Sequence, residues 1–348
     1  MIEPYGIALM QTATRVVENA KERDEVIEQN LKRCLQLIDF TAGEKRFGTK
    51  ILLFPEFFLT GVPESRSHEE YMIRSIKIPG PVTDRFAEKA RKYEIYIAGH
   101  SFEVDDDWPG RCFSTSYIIG PEGKIILKYR KHHDVSVCLN VHPGDVYTEY
   151  VKKFGEDSLF PVVDTPIGRL ACIVCYDINW PEVTRCMAMR GAEILLMSTG
   201  DGYAFSQAHR IMRLARAYEN QIYVACASHG KFVNSTRPEH QQRGYSELID
   251  FSGNVVVCID GPGECVVTGM IDVENLRRKR SRTDIWNFLA GFRPGLYVRE
   301  YQRAQEFGIP NDVFAKTIVK SNEEYAKLNK GVLERLYEKN IFKKPFTG

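Results

Sequence analysis

The sequence lacks a charge imbalance: 47 lysine and arginine residues stand against 46 aspartate and glutamate residues, which leaves a net charge of +1. A neutral chain of this kind does not favour binding to nucleic acid or to an anionic membrane surface. The sequence also lacks an uncharged apolar run long enough to span a bilayer, and its first residues, MIEPYGIALMQT, carry no basic segment followed by a long apolar one. We therefore expect a cytoplasmic protein without nucleic-acid or membrane partners.

A disulfide framework is also missing. The nine cysteines are scattered over the chain, mostly inside apolar segments such as IYVACAS and NVVVCID, which is typical of reduced core thiols. Cys172 and Cys175 form a C-x-x-C pair, but the sequence has no second pair. This pair lies within and at the end of an apolar run, whereas redox pairs open a helix. The pattern thus disfavours a redox or zinc site, and we expect no bound metal.

Apolar segments alternate with helical patterns along most of the chain. Residues 50–54 and 170–174 are short apolar runs typical of buried strands, and residues 23–40 carry apolar side chains at helical spacing. We expect Thr83 to cap one helix, Pro181 to open another, and the irregular pattern over residues 132–158 to form a long loop. Strands that alternate with helices and end in hairpins predict a layered α/β fold. We expect a body over residues 1–279 and a strand-free C-terminal extension over residues 280–348, which packs on the body or on a neighbouring subunit.

Three residues with reactive side chains follow apolar strands directly. They are Glu56, Lys131 and Cys175. Taken singly, each has a plainer interpretation: a surface carboxylate, a solvated strand end and a buried structural thiol. Strand ends of an open α/β sheet converge on one crevice, however, so residues far apart in sequence meet there. We therefore predict that the three side chains share one site.

These three side chains together predict a cysteine nucleophile that is activated by a cation and a general base. A cysteine attacks as the thiolate, a nearby ammonium lowers its pKa, and a carboxylate takes the thiol proton and passes it to a leaving amine. The Lys131 ammonium and a backbone amide next to the nucleophile, for which we choose that of Tyr176, would stabilise the oxyanion of a tetrahedral intermediate. The product of the first half-reaction would be a thioester that water hydrolyses.

Segments around these residues resemble the nitrilase superfamily of carbon-nitrogen hydrolases. LLFPEFFLTG is similar to the segment that carries the family's glutamate, KYRK to that of its lysine, and CYDINWPEVTR to that of its cysteine, in the family's order. GAEILLMSTG and RLARAYENQIYVACAS resemble the segments that follow. The resemblance implies an αββα sandwich of two mixed sheets flanked by helices, no metal or organic cofactor, and a homodimer or larger homo-oligomer.

One position departs from the family pattern. Many members have a second glutamate eight residues after the lysine, and here that position is Leu139, with Asn140 beside it. The Pro143-Gly144 that follows keeps its usual spacing. Candidates to replace the missing carboxylate are polar residues of the same region. They are His132, His133, Asp134, His142 and Glu149.

Further side chains near the motifs are candidates for substrate contacts. They are Tyr117, His132, Asp134, Asn140, Trp180 and Tyr203. Core packing is the commoner fate of aromatic residues, and His209 and Arg213, one turn apart on a helix, are as compatible with a solvated face as with a substrate contact.

The Cys-Tyr-Asp sequence resembles the amidase and carbamoylase branches more than the nitrilases proper, which tend to have Cys-Trp-Glu. The resemblance therefore implies hydrolysis of the C–N bond of a small amide or carbamoyl compound, with release of ammonia or an amine. Two alternatives stay open: a nitrilase that converts a nitrile to an acid and, because of Leu139, a catalytically weakened or silent scaffold.

Overall fold

The fold is built around two stacked β-sheets. The computed structural model describes residues 1–44, 46–64, 67–134, 139–238 and 244–345, with the backbone alone for residues 46 and 203–206. The first sheet has six strands in the order β14-β1-β3-β4-β5-β6. Their bounds are β1 (Tyr5–Gln11), β3 (Ile51–Leu53), β4 (Tyr96–Val104), β5 (Cys112–Ile119), β6 (Ile125–Arg130) and β14 (Cys265–Ile271). Strands β1, β3 and β4 are parallel, and the other pairs are antiparallel, so the sheet is mixed.

The second sheet repeats this plan. Its order is β13-β12-β10-β9-β8-β7, with a parallel centre of β8, β9 and β10 and antiparallel edges. The strands are β7 (Val163–Thr165), β8 (Gly168–Val174), β9 (Ile194–Ser198), β10 (Tyr223–Ala227), β12 (Gly244–Ile249) and β13 (Val255–Asp260). Two short strands, β2 (Ala13–Arg15) and β11 (Lys231–Val233), form a separate parallel pair.

Helices cover the outer faces of both sheets. The helices of the body are α1 (Arg23–Gly43), α2 (His68–Arg74), α3 (Pro81–Tyr93), α4 (Tyr147–Phe154), α5 (Pro181–Met189), α6 (Tyr203–Asn220) and α7 (Val273–Arg280). Helices α1 and α3 pack on the first sheet, and α5 and α6 pack on the second. The four layers are therefore helix, sheet, sheet and helix, which confirms the αββα sandwich expected from the resemblance.

The period of two along each strand explains this layering. In β1, Ile7 and Leu9 belong to the core between the two sheets, whereas Ala8 and Met10 belong to the core under α1 and α3. Strand β8 is buried on both faces, since every residue from Leu170 to Val174 is inaccessible to solvent. Because strands of this kind need apolar side chains on both faces, they appear in the sequence as continuous apolar runs.

Two elements differ from their sequence predictions. The helix expected to open with Thr83 as its cap begins at Pro81, which needs no amide hydrogen bond in a first turn, and Thr83 Oγ1 accepts the Gly80 amide hydrogen at 2.8 Å from inside the helix. The region over residues 132–158, expected to be an irregular loop, contains α4. Its apolar residues Tyr150 and Phe154 pack in one cluster with Trp108, so tertiary packing stabilises a helix that the short pattern did not indicate.

The C-terminal extension returns to the body. It carries α8 (Val298–Ala304) and α9 (Asn322–Glu338), and the described part of it contains no strand. Between the helices, Phe314 and Val319 are buried in one apolar cluster with residues of the body. Arg111 of the body donates hydrogen bonds from Nη2 to the carbonyls of Phe314, Ala315 and Thr317. The extension is therefore part of the folded molecule.

Candidate active site

The two stacked sheets bring three strand ends together. Glu56 follows β3, Lys131 follows β6 and Cys175 follows β8. Lys131 Nζ lies 3.0 Å from Glu56 Oε1, and the Glu56 carboxylate interacts with the Cys175 thiol. The structure therefore places the carboxylate, the ammonium and the thiol in one cluster.

Glu56 is the buried carboxylate of this cluster, with only 1% of its surface exposed. Its Oε1 accepts a hydrogen bond from Lys131, and its Oε2 accepts one from the Gly200 amide at 3.0 Å. Burial raises the pKa of Glu56 to about 7; Lys131 acts in the opposite direction, and Asp134 adds to the rise. A carboxyl group with a pKa near neutrality is suited to accept a proton and to return it.

Cys175 stands at the junction between β8 and the 3₁₀ turn Cys175–Asn179, which leads into α5. Its backbone has a φ of 43°, a left-handed conformation that non-glycine residues seldom adopt. Burial, followed by the negative charges of Glu56 and Asp201, raises the pKa of the thiol well above its ordinary value, while Lys131 lowers it. In the resting protein the sulfur therefore keeps its proton, and it needs an adjacent base to lose it.

Lys131 bridges two carboxylates. Its Nζ lies 3.0 Å from Glu56 Oε1 and 3.0 Å from Asp134 Oδ1, and the Lys131 and Asp134 side chains are only 2% and 6% exposed. Leu139, the position at which the family resemblance implies a second glutamate, packs instead with apolar residues of the body and the extension. They are Tyr71, Phe102, Cys112, Phe314 and Val319. Of the proposed replacements for the second glutamate, Asp134 is the carboxylate that contacts Lys131.

The other proposed replacements have different surroundings. His132 is half-buried with its Nε2 on the Leu159 carbonyl, and desolvation lowers its pKa to about 4. His142 is hydrogen-bonded through Nδ1 to Asp145. Glu149 is exposed on α4. His133 forms a flat stack on Trp180, with ring centroids 4.0 Å apart.

Two of the candidate substrate contacts have their recorded contacts away from the thiol cluster. Tyr117 is buried in the core between the first sheet and its helices, because its position on β5 points it outward, away from the sheet-to-sheet interface. His132 is half-buried and its ring contacts those of Tyr129 and Phe160.

The remaining candidates lie near the cluster or outside the described atoms. Trp180 stacks on His133 and meets the Tyr176 ring edge-on at 5.3 Å. Tyr176 follows the nucleophile directly. Asn140 is buried with its side-chain amide 3.3 Å from His142 Nε2. Tyr203 begins α6, but its side chain lies outside the described residues.

Sequence reasoning missed a charged group beside the sulfur. Asp201 Oδ1 lies 3.4 Å from Cys175 Sγ, and the same carboxylate accepts hydrogen bonds from His209 Nδ1 at 2.7 Å and Arg213 Nη1 at 3.3 Å. Although burial raises the pKa of Asp201, His209 and Arg213 lower it to about 2. His209 and Arg213 are thus buried partners of Asp201, not a solvated helix face. The sequence contains one signal for this group: His209 and Arg213 lie one turn apart on the helix that follows an apolar strand and Asp201.

Cys175, Asp201 and His209 also form the one group among the described side chains whose donor types and spacing could hold a metal ion, with ligand atoms within 4.8 Å of one another. Asp201 and His209 are already hydrogen-bonded to each other, and His209 Nε2 lies 3.2 Å from the Asn179 amide.

No helix in the described part of the chain is long and apolar enough to cross a membrane.

The fold and the site define a class of thiol hydrolases, in which a cysteine at a strand end lies beside a buried lysine and a buried glutamate. The chain belongs to the carbon-nitrogen hydrolase family, whose model matches residues 6–281. Among curated relatives it is similar to omega-amidase NIT2 of Xenopus tropicalis, with 28% identity over 263 residues, 75% of this chain and 89% of the relative. Among solved structures it is similar to Saccharomyces cerevisiae Nit3, a member of branch 10 of the nitrilase superfamily. The TM-score is 0.64 and the identity 22%, over 81% of this chain and 96% of that one. It is also similar to a mutant of an amidase from Nesterenkonia sp. AN1 that carries the acetamide moiety of fluoroacetamide covalently on its active-site cysteine. Here the TM-score is 0.59 and the identity 20%, over 85% of this chain and 96% of that one.

Proposed function

We propose that this protein hydrolyses the C–N bond of a small amide or carbamoyl compound through a thioester on Cys175, without a metal or organic cofactor. The observation that carries the proposal is the buried contact of Lys131 Nζ with Glu56 Oε1 at 3.0 Å beside the thiol. A carboxyl with a pKa of about 7 next to a protonated thiol gives the nucleophile its base. Family membership and the amidase names of the relatives support the same chemistry.

The first half-reaction transfers the acyl group to sulfur. Glu56 takes the thiol proton while Cys175 Sγ forms a bond to the carbonyl carbon, and the carbonyl electrons move to oxygen. The Lys131 ammonium and the Tyr176 amide stabilise that oxyanion. When the carbonyl re-forms, the C–N bond breaks, and Glu56 gives its proton to the departing nitrogen, which leaves as ammonia or an amine.

The second half-reaction releases the acid. Glu56 takes a proton from water as the water oxygen attacks the thioester carbon, and the same two donors stabilise the second oxyanion. Collapse breaks the C–S bond, and Glu56 returns the proton to sulfur. The net change is one water consumed, one C–N bond cleaved and the thiol regenerated.

Asp134 takes the place of the second glutamate in this proposal. Its Oδ1 lies 3.0 Å from Lys131 Nζ, so the Lys131 side chain is held between two carboxylates. In the sequence, Leu139 is the one residue that favours a silent scaffold. Because a carboxylate contacts Lys131 from another position, Leu139 no longer favours that alternative.

The test is a panel of small amides, carbamoyl compounds and nitriles scored for ammonia release, with Cys175→Ala as the blank. We expect wild-type turnover on amides or carbamoyl compounds, none for Cys175→Ala or Lys131→Ala, and an acyl adduct on Cys175 by intact mass. Consumption of nitriles without amide turnover would move the assignment to a nitrilase. Equal rates for wild type and Cys175→Ala would refute the mechanism.

We also propose a homodimer or larger assembly in the cytoplasm. The extension and its neighbours expose large apolar side chains, and the described cysteines are unpaired thiols. The exposed residues are Met189, Ile285, Trp286, Leu296 and Tyr297. The proposed boundary between body and extension, at residues 279 and 280, is supported by the family match, which stops at residue 281. A monomer in size-exclusion chromatography with light scattering would contradict the assembly.

A further inference from the structure

The C-terminal extension lies against the segment that follows the catalytic lysine. Asp312 donates its amide hydrogen to the Gly144 carbonyl at 2.8 Å, and the Phe314 amide donates to the Asp145 carbonyl at 3.2 Å. Asp312 also accepts hydrogen bonds from the Thr148 amide and hydroxyl, at 2.9 and 2.6 Å. The backbone over residues 144–148 is therefore held by the extension along its length.

The apolar side of this contact involves Leu139. Its side chain shares a buried cluster with Phe314 and Val319 of the extension and with Phe102 of the first sheet. A glutamate at this position would be buried among apolar groups. At the position where the family resemblance implies a carboxylate, Leu139 thus packs against the extension.

The polar side of the contact leads toward the catalytic lysine. The Tyr325 hydroxyl of α9 lies 3.2 Å from Asp145 Oδ2 and 3.3 Å from the Asn140 carbonyl oxygen. Asp145 Oδ2 in turn accepts hydrogen bonds from the amide and from Nδ1 of His142, both at 3.0 Å. His142 Nε2 lies 3.3 Å from the side-chain amide of Asn140.

His142 is electrostatically coupled to the catalytic pair. Burial lowers the pKa of His142, but the hydrogen bond and charge of Asp145 outweigh burial, so the pKa is raised. The charge of Asp134 adds to the rise and that of Lys131 opposes it. Among the described residues, the groups that interact with His142 are Lys131, His132, Asp134, Asn140, Asp145 and Tyr325. The segments that carry Lys131 and His142 lie along the same strand: the Lys131 amide donates to the Ser114 carbonyl of β5, and the Val141 amide donates to the Cys112 carbonyl of β5, both at 2.8 Å. A displacement of Asp145 and His142 is therefore transmitted toward Lys131 through adjacent backbone.

We propose that Tyr325 is a positioning residue of the active site: it fixes Asp145 and, through it, the imidazole of His142 on the segment that lies along β5 beside Lys131. The C-terminal extension then supports the active site through its contacts with residues 139–148. The inference rests on the proposed function, because its readout is turnover on the amide or carbamoyl substrate found with the panel above.

The test compares Tyr325→Phe with Tyr301→Phe. Both variants remove one hydroxyl from the extension, but Tyr301 bonds Glu182 on α5, away from the segment over residues 139–148. We expect Tyr325→Phe to lower kcat about tenfold, as loss of one hydrogen bond to a charged group does, with KM within about twofold. We expect the acid limb of the kcat–pH profile to move to lower pH, because His142 then becomes the main donor to Asp145, keeps its proton longer, and its positive charge favours the ionised form of Glu56. Tyr301→Phe should match wild type in both respects.

A double-mutant cycle separates positioning from general loosening. Asp145→Asn interrupts the connection between Tyr325 and His142, so Tyr325→Phe should add less than about twofold in that background. Wild-type kcat and pH profile for Tyr325→Phe, or full additivity with Asp145→Asn, would overturn the inference. So would a rate loss that only follows the folded fraction measured by circular dichroism. Wild-type turnover no higher than that of Cys175→Ala would instead refute the proposed function, which keeps the two failures distinct.

Discussion

Removing the charge of Asp201 should make Cys175 more reactive. Asp201 Oδ1 lies 3.4 Å from Sγ, and its negative charge raises the pKa of the thiol. Two unit charges 4 Å apart interact by about 4 kcal/mol at an effective dielectric constant of 20. His209 and Arg213 bind the same carboxylate and offset much of its field. If about one third of this interaction remains beside His209 and Arg213, Asp201→Asn favours the thiolate of Cys175 by about 1.4 kcal/mol, or about tenfold.

The assay is the rate of iodoacetamide alkylation of Cys175 at pH 7, followed by peptide mass mapping. Cys265 is exposed in the same chain and serves as an internal reference whose rate should not change. Asp106→Asn removes a carboxylate that is 82% exposed and paired with Lys77, and it controls for the loss of one negative charge at a distance. We expect about tenfold faster alkylation in Asp201→Asn and wild-type rates in Asp106→Asn. An Asp201→Asn protein with wild-type thermal stability and no faster alkylation would refute the electrostatic reasoning.

Three further predictions concern residues with contrasting roles. Because the pKa of Glu56 is raised from 4.5 to about 7, kcat/KM should rise with pH to a plateau, with its acid limb near 7. The same shift affects the free energy of unfolding. The stabilisation from Glu56 is complete below pH 4.5 and is lost as pH rises through 7. Urea unfolding should therefore show wild type losing about 3 kcal/mol across that window relative to Glu56→Gln. Cys172→Ala should cost about 1 to 2 kcal/mol in urea unfolding and leave kcat unchanged, since Cys172 is fully buried between the sheets; a selective loss of rate would transfer the nucleophile role to Cys172. Leu139→Glu should cost about 3 to 5 kcal/mol and leave turnover no faster, whereas Leu139→Met should cost under about 1.5 kcal/mol; a faster Leu139→Glu enzyme would contradict the assignment of Asp134.

The sequence predicted the strands and helices that carry strong patterns. Strand β8 is buried on both faces, so its apolar run is continuous, and Pro181 indicated the start of the helix after it. The three-residue strands β2, β7 and β11 were missed because each contains polar residues and is too short to show a period, whereas β3, equally short, lies in a continuous apolar run. Helix α4 was missed because its stability comes from packing on Trp108, which lies far from it along the chain.

The candidate site was predictable where it depended on strand ends and was not predictable where it depended on distant partners. Glu56, Lys131 and Cys175 each follow an apolar run, and that rule was sufficient to bring them together. Asp134 and Asp201 needed the fold, because a carboxylate in a loop carries no sequence signal for the side chain it meets. The side of the first sheet on which Tyr117 lies was also not predictable, since the direction of its side chain depends on the register of β5 against β4, where Tyr117 pairs with Gly99.

The position of β14 has a consequence for synthesis of the chain. Strand β1 is an inner strand of the first sheet, and its antiparallel partner β14, which pairs with it over seven residues, ends at Ile271. The first sheet therefore cannot be completed until most of the chain has left the ribosome. The extension that contacts residues 139–148 emerges later still. A nascent chain that has exposed all three catalytic residues would thus remain an incomplete sandwich, with apolar strands open to association until its C-terminal part is added.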